Sequence, residues 1–474
     1  MSWPPAGRRV HRPCRSCRSG RSWPGRRPGR QPGAVVPVVR GGVSDTRSRA
    51  GHVGSLAAMT GRRTRWALDV VLTAVVAFLV ALSAGRIVVW LRWVIGQAND
   101  DHPWWVAMPA LGGVVAVLIV VRARTTPATT DAYVHGVDDG ALAIGPAPAR
   151  FLALVSGVGV GVPLGYEGPM VYFGGSLGAW VARRLGRPDR WCILAAATSA
   201  VAMVIGAPIA AALFASEVAR RGLPRRRDVM PLAVGAAAAW AARRLTGESG
   251  GIVGSDLGLT AGQVAVGALA IGGAAGVAAR LFVAAVRRAN ELHLSVRARV
   301  VGVVVTLGLA VPLGWWAADA PIFIGSGERL REWAAHTSQG PLLLATLVFA
   351  GLVIAMVACG VVGGLFLPLL SLGALLGVLV GRAWLPDVPY AACVGIGACC
   401  LLGAAYGTPL TAAALAFASF GWSSSAWLTA VGVVIASAIA GERSVSAYQR
   451  SARAGRGRRT GMLPTWWSGR HVRS

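Results

Sequence analysis

The sequence contains no lysine, few acids and little charge of any kind. Asp and Glu together number 19 and charged residues make up 14% of the chain, against about 25% in an ordinary soluble domain. Charge is wholly absent from Cys192 to Ser216, from Gly340 to Gly381 and from Val388 to Gly441. A helix needs roughly 20 such residues to cross about 30 Å of hydrocarbon, so the last two stretches must each turn round inside or at a membrane. These scarcities exclude a soluble globular fold. The missing lysine is read as a base-composition bias of the gene, since every one of the 47 basic residues is arginine. Cysteine is also sparse: Cys14 and Cys17 form one CxxC with no second pair, and the other five lie in apolar stretches, so neither disulfides nor a metal nor another cofactor is expected.

The basic residues are concentrated in two tails. Arginine crowds Arg8 to Arg65 and Arg443 to Arg473, with shorter clusters at Arg183 to Arg190 and Arg220 to Arg227. The net charge of +28 would suit nucleic acid, but no folded basic face lies behind it. Basic flanks around apolar spans instead place both termini in the cytoplasm, with an even number of crossings of a cell membrane. Residues 1–60 are expected to be a disordered basic tail without the apolar core of a secretory leader. Met59, directly before the first long apolar run, is a candidate translation start. Residues 61–245 and 246–442 read as two halves of a transmembrane region, and 443–474 as a basic cytoplasmic tail without a regulatory domain.

An internal repeat organises the apolar region. Pro169 is followed by Gly174 and Gly178, then by Gly206-Ala207-Pro208-Ile209; Pro368 is followed at identical offsets by Gly373 and Gly377, then by Gly407-Thr408-Pro409-Leu410. Gly and Pro free backbone donors and acceptors that hydrocarbon cannot satisfy, so such breaks survive only where protein or a water-filled cavity surrounds them. Matched interrupted segments in two halves point to a site at the repeat interface. The expected fold is an all-α polytopic membrane protein of ten or more helices, some tilted and some spanning only part of the bilayer.

Each break presents a helix start: Gly165-Tyr166-Glu167-Gly168-Pro169 and Gly363-Gly364-Leu365-Phe366-Leu367-Pro368. Proline is tolerated in a first helical turn, and the free N–H groups with the positive end of the helix dipole favour an anion there. Membrane acids, which a cation site would need, are almost confined to Glu167 and Glu217, with Asp69 near one end of an apolar run. An acid kept at membrane depth is a functional candidate. The Glu167 carboxylate can stand in for the anion when charged and leave when protonated; a buried acid that merely caps its helix is the alternative.

These motifs resemble the CLC family of chloride channels and chloride/proton antiporters. The family pattern GREGP is matched by Gly165 to Pro169, GGIFAP by Gly363 to Pro368, NAP by Gly206 to Pro208 leading to Glu217, and RAPLT by Gly407 to Thr411. The resemblance implies a CLC-like inverted repeat, a homodimer of two pores, chloride or a similar small anion as cargo, and Glu167 as the external gate. It further implies an anion path lined by Gly165, Tyr166, Gly168, Pro169, Gly364, Leu365, Phe366 and Leu367. Three positions depart from the family. Its serine-bearing segment is replaced by Thr126-Pro127-Ala128-Thr129-Thr130-Asp131, where Thr129 or Thr130 could offer a hydroxyl or form a polar loop. Its inner proton-loading glutamate is replaced by Val218, which leans toward a channel or uncoupled transporter over an antiporter and leaves Glu217 as a possible proton route. Its pore tyrosine falls at Val445 or Ser446, with Tyr448 the nearest substitute. Two other classes fit less well: a cation-coupled solute transporter with broken helices suits the repeat but not the scarcity of acids, and an intramembrane enzyme lacks paired aspartates, HExxH or a Ser/His pair.

Overall fold

The computed structural model describes residues 47–96, 107–139, 142–186, 189–247 and 260–449, with side chains from Trp66 onward except at positions 92, 95, 96, 138, 139, 261 and 264. Residues up to Thr60 form one unit and those from Gly61 a second. Residues 1–46 of the expected basic tail, and with them Cys14 and Cys17, lie outside the described residues. Residues 47–60, assigned above to that tail, are helical: α1 runs Arg47–Gly96. No proline interrupts this stretch, and adding residues to an existing helix is far easier than starting one.

The described residues form sixteen α-helices. Those that position the site are α2 (Met108–Arg122), α3 (Thr129–Asp139), α4 (Ala147–Gly157), α5 (Glu167–Arg184), α6 (Asp189–Ile205), α7 (Pro208–Glu217) and α8 (Arg226–Thr246) in the first half. The second half contributes α9 (Ala261–Glu291), α10 (Val296–Ala318), α11 (Glu328–Ala334), α12 (Gln339–Cys359), α13 (Phe366–Trp384), α14 (Tyr390–Tyr406), α15 (Pro409–Phe420) and α16 (Ser424–Ala440). The charge-free stretches turn as their length requires: 340–381 divides into α12 and α13, and 388–441 into α14, α15 and α16.

Among the described residues, five segments are long and apolar enough to cross a membrane: Trp66–Leu91, Ala265–Glu291, Val296–Ala318, Gln339–Cys359 and Phe366–Trp384. Others, including α2, α7, α14, α15 and α16, are apolar but shorter. A bundle of this kind can stop helices at mid-depth only by burying their ends in protein.

The two proline-started segments are built alike. Helix α5 packs on α6, and α13 on α14, through the glycines of the repeat. A Cβ on Gly174 or Gly178 would strike the Ala196 or Cys192 carbonyl; one on Gly373 or Gly377 would strike that of Gly397 or Cys393. Such close backbone approach needs small residues at the contact. Pro208 and Pro409 then open α7 and α15, so four helices begin inside the bundle.

Candidate functional site

The starts of α5 and α13 meet. Gly165 N–H donates to the Gly364 carbonyl at 2.7 Å, and Gly364 N–H donates to the Gly165 carbonyl at 2.6 Å, an isolated antiparallel bridge between the repeat's two broken segments. Each strand then turns into its helix within two residues, with Tyr166 and Leu365 as the N-caps. Pro169 and Pro368 fall in the first turns, where a missing N–H costs nothing.

Glu167 sits at this crossing and is 0% exposed. Its carboxylate lies against both glycines: a Cβ on Gly165 would collide with Glu167 Oε2, and one on Gly364 would stand 3.3 Å from it. The first-turn position puts the carboxylate at the positive end of α5. A charged group buried this deeply requires such compensation. Ser326 braces the approach, its hydroxyl donating to the Leu164 carbonyl at 3.0 Å.

The start of α3 closes the third side. A Cβ on Gly168 would strike Thr130 Oγ1 and stand 3.8 Å from Thr129 Oγ1. Thr129 is buried, and its hydroxyl has no hydrogen-bond partner among the described residues. Buried hydroxyls are nearly always satisfied, so this one marks a place where a ligand or water can bind. Both threonines line a cavity of about 80 Å³ whose wall includes Leu164, Gly363, Leu365, Val445 and Ser446.

The cavity also holds a residue that the sequence reading passed over. Tyr406, at the end of α14, is buried and lines the cavity. Its hydroxyl lies 3.4 Å from Thr130 Oγ1, and the Leu365 amide donates to the same oxygen. Its ring is held by Phe214 and Phe366, with centroids at 5.4 and 6.4 Å. The cue was present in the sequence, since Tyr406 directly precedes the second Gly-x-Pro break. What could not be read was that α14 ends facing the start of α3.

Tyr448 lies elsewhere. Its ring packs on His135 with centroids 4.6 Å apart, and the cavity wall contains Val445 and Ser446 rather than Tyr448. The segment carrying these residues begins the stretch read as a basic cytoplasmic tail, and in it Ser444, Val445, Ser446 and Gln449 are buried. Val445 N–H donates to the Ala405 carbonyl at 3.0 Å. Gln449 Nε2 donates to the carbonyls of Glu217 and Gly407, both at 2.9 Å. Arg221 donates to Gln449 Oε1 at 3.1 Å and to the carbonyls of Gly441 and Arg443. Backbone groups at the end of α14 and a cation in the α7–α8 connection thus bind a stretch that composition alone assigns to solvent.

Glu217 is buried at the end of α7 and accepts hydrogen bonds from the start of α15. Leu410 N–H, Thr411 N–H and the Thr411 hydroxyl donate to its two oxygens at 3.1, 2.9 and 2.9 Å. It therefore caps the partner helix of the other half. Val218 follows it, fully buried.

Residues 112–441 match the family described as voltage gated chloride channel. The chain belongs to the CLC family. Among its relatives, the H(+)/Cl(-) exchange transporter ClcA of Klebsiella pneumoniae is 30% identical over 56% of this chain and 59% of its own. A chloride/fluoride channel protein of Pseudomonas syringae is 26% identical over 75% of this chain and 80% of its own. The crystal structure of a CLC-type fluoride/proton antiporter superposes with a TM-score of 0.68 at 17% identity, covering 81% of this chain and 99% of that one. This CLC protein is accordingly a multi-pass membrane protein of a family that transports chloride and is not a family of enzymes.

Proposed function

We propose that this CLC protein conducts chloride or a similar small anion past Glu167 and through the cavity walled by Thr129, Thr130, Leu365 and Tyr406. The observation that carries the reading is the Gly165–Gly364 bridge, which brings two helix starts and one buried carboxylate to a single point. Amide N–H groups at Leu365 and Phe366 and hydroxyls of Thr129, Thr130 and Tyr406 form a donor set, with Asp131 the acid in the same cavity wall. A dehydrated anion needs donors of this kind. Glu167, ionised, occupies the place an anion would take between Gly165, Gly168 and Gly364. Protonated, it loses its attraction for the helix starts and opens the path. Tyr166, Pro169 and Leu367 shape the two turns.

We read the transport as passive conduction rather than proton exchange. Val218 cannot carry a proton, and the Glu217 carboxylate is occupied by three donors from α15. Tyr406 takes the part first assigned to Tyr448. The working unit is a homodimer in the cell membrane with both termini cytoplasmic. Purified protein in liposomes is expected to release chloride above protein-free vesicles. The reversal potential under opposed chloride and pH gradients is expected to follow chloride alone. No anion flux would overturn the transport reading, and displacement by the pH gradient would replace conduction with exchange.

A further inference from the structure

Asp131 is unexpected in the wall of an anion path. It stands in the first turn of α3, directly after Thr130, and lines the same cavity as Tyr406 and Leu365. Its Oδ1 accepts from the Ser446 hydroxyl at 2.7 Å, and the Ala447 amide also donates to it. The acid therefore fastens the segment Ser444–Gln449 across the cavity.

Tyr406 lies within electrostatic range of both Glu167 and Asp131. The remaining ionisable surroundings of Asp131 are few. From α9, Arg287 faces it while donating from Nε to the Ser444 carbonyl at 3.1 Å. On α3 itself, His135 lies one turn on, against Tyr448. From α6, Arg190 reaches only the far end of α3, at the Val137 carbonyl. On α5, Glu167 is the acid within electrostatic range of Tyr406. The C-terminal segment meets Asp131 with Ser446 and Ala447, neither of which titrates.

We propose that Asp131 is a proton-operated valve on the side of the anion path opposite Glu167. Ionised, it adds a negative charge to the cavity wall and holds Ser446, another residue of that wall, in place. Protonated, it loses the charge and most of its capacity as an acceptor, so the repulsion ends and the segment loosens. Two acids in series then bracket the donor set, each facing its own compartment. A like charge at this range slows an anion roughly tenfold or more when poorly screened. The inference rests on the cavity being the anion path.

The test is chloride current through purified full-length protein in a planar bilayer, with pH stepped on each face separately. In a Glu167→Gln background the current is expected to rise roughly tenfold on acidifying one face only. Adding Asp131→Asn should abolish that response and leave the current high. Ser446→Ala removes a donor that favours the carboxylate, so it should move the midpoint to higher pH. His135→Gln should leave the response in place. A Glu167→Gln current indifferent to pH on both faces, or a response that survives Asp131→Asn, overturns the proposal. Should Asp131→Asn fail to fold, an unmoved midpoint in Ser446→Ala overturns it equally. Absence of chloride current in the wild type would remove the anion reading itself, a result distinct from all of these.

Discussion

Gly165 and Gly364, one from each half of the chain, exchange both of their backbone hydrogen bonds, at 2.7 and 2.6 Å. Neither residue has room for a side chain: a Cβ on Gly165 would strike the Glu167 carboxylate, and one on Gly364 would stand 2.8 Å from the Gly168 backbone nitrogen and 3.3 Å from that carboxylate. The gate and the joint between the halves are one structure.

Gly165→Ala should therefore act on the gate without touching the acid. Its Cβ would collide with Glu167 Oε2, and the carboxylate is the part free to yield. Overpacking of this kind costs about 1–3 kcal/mol. Chloride efflux at pH 7 is expected to rise toward that of Glu167→Gln, with the response to pH flattened. Efflux that keeps the wild-type pH profile would place the carboxylate elsewhere.

Thr129→Val separates stability from binding. The hydroxyl is buried without a partner among the described residues, so replacing it with a methyl should leave the thermal midpoint unchanged or raise it. If Thr129 faces the ion, chloride affinity in titration calorimetry should fall. Equal losses in both measurements would make Thr129 a packing residue only.

Tyr406→Phe removes one hydroxyl and keeps the ring between Phe214 and Phe366. A hydrogen bond to a charged partner contributes about 1.5–3 kcal/mol, so chloride affinity should drop about tenfold or more. Tyr448→Phe should leave chloride affinity unchanged, since Tyr448 is not among the residues of the cavity wall. The reverse ranking of the two variants would restore Tyr448 to the pore.

Glu217→Ala should damage the fold. Three donors at the start of α15 lose their acceptor, and each buried orphan costs about 1–3 kcal/mol. The detergent-solubilised protein should melt several degrees lower. Protein that survives should show a reversal potential that still follows chloride. A shifted reversal potential with unchanged melting would instead make Glu217 part of a proton route.

The sequence alone determined the class of molecule and the location of its centre. Charge-free stretches too long for one crossing required more than one helix each, and 340–381 and 388–441 divide into two and three. Gly-Pro breaks at matched offsets marked the helix starts that meet at Gly165 and Gly364, because the pairing of a tight turn with a first-turn proline is local chemistry. Glu167 was legible for the same reason: a lone acid in an apolar run needs a local explanation. Tertiary structure decided whatever depends on which distant elements touch. Tyr406 and Thr130 are far apart in the chain and share the cavity only because α14 ends where α3 begins. Val445 and Ser446, within a basic tail by composition, are buried because Arg221, Gln449 and Asp131 hold that stretch against the bundle. Hydrophobic patterning encodes which residues leave water, but hydrogen bonds between remote segments fix which polar groups meet inside, and no local pattern carries that pairing.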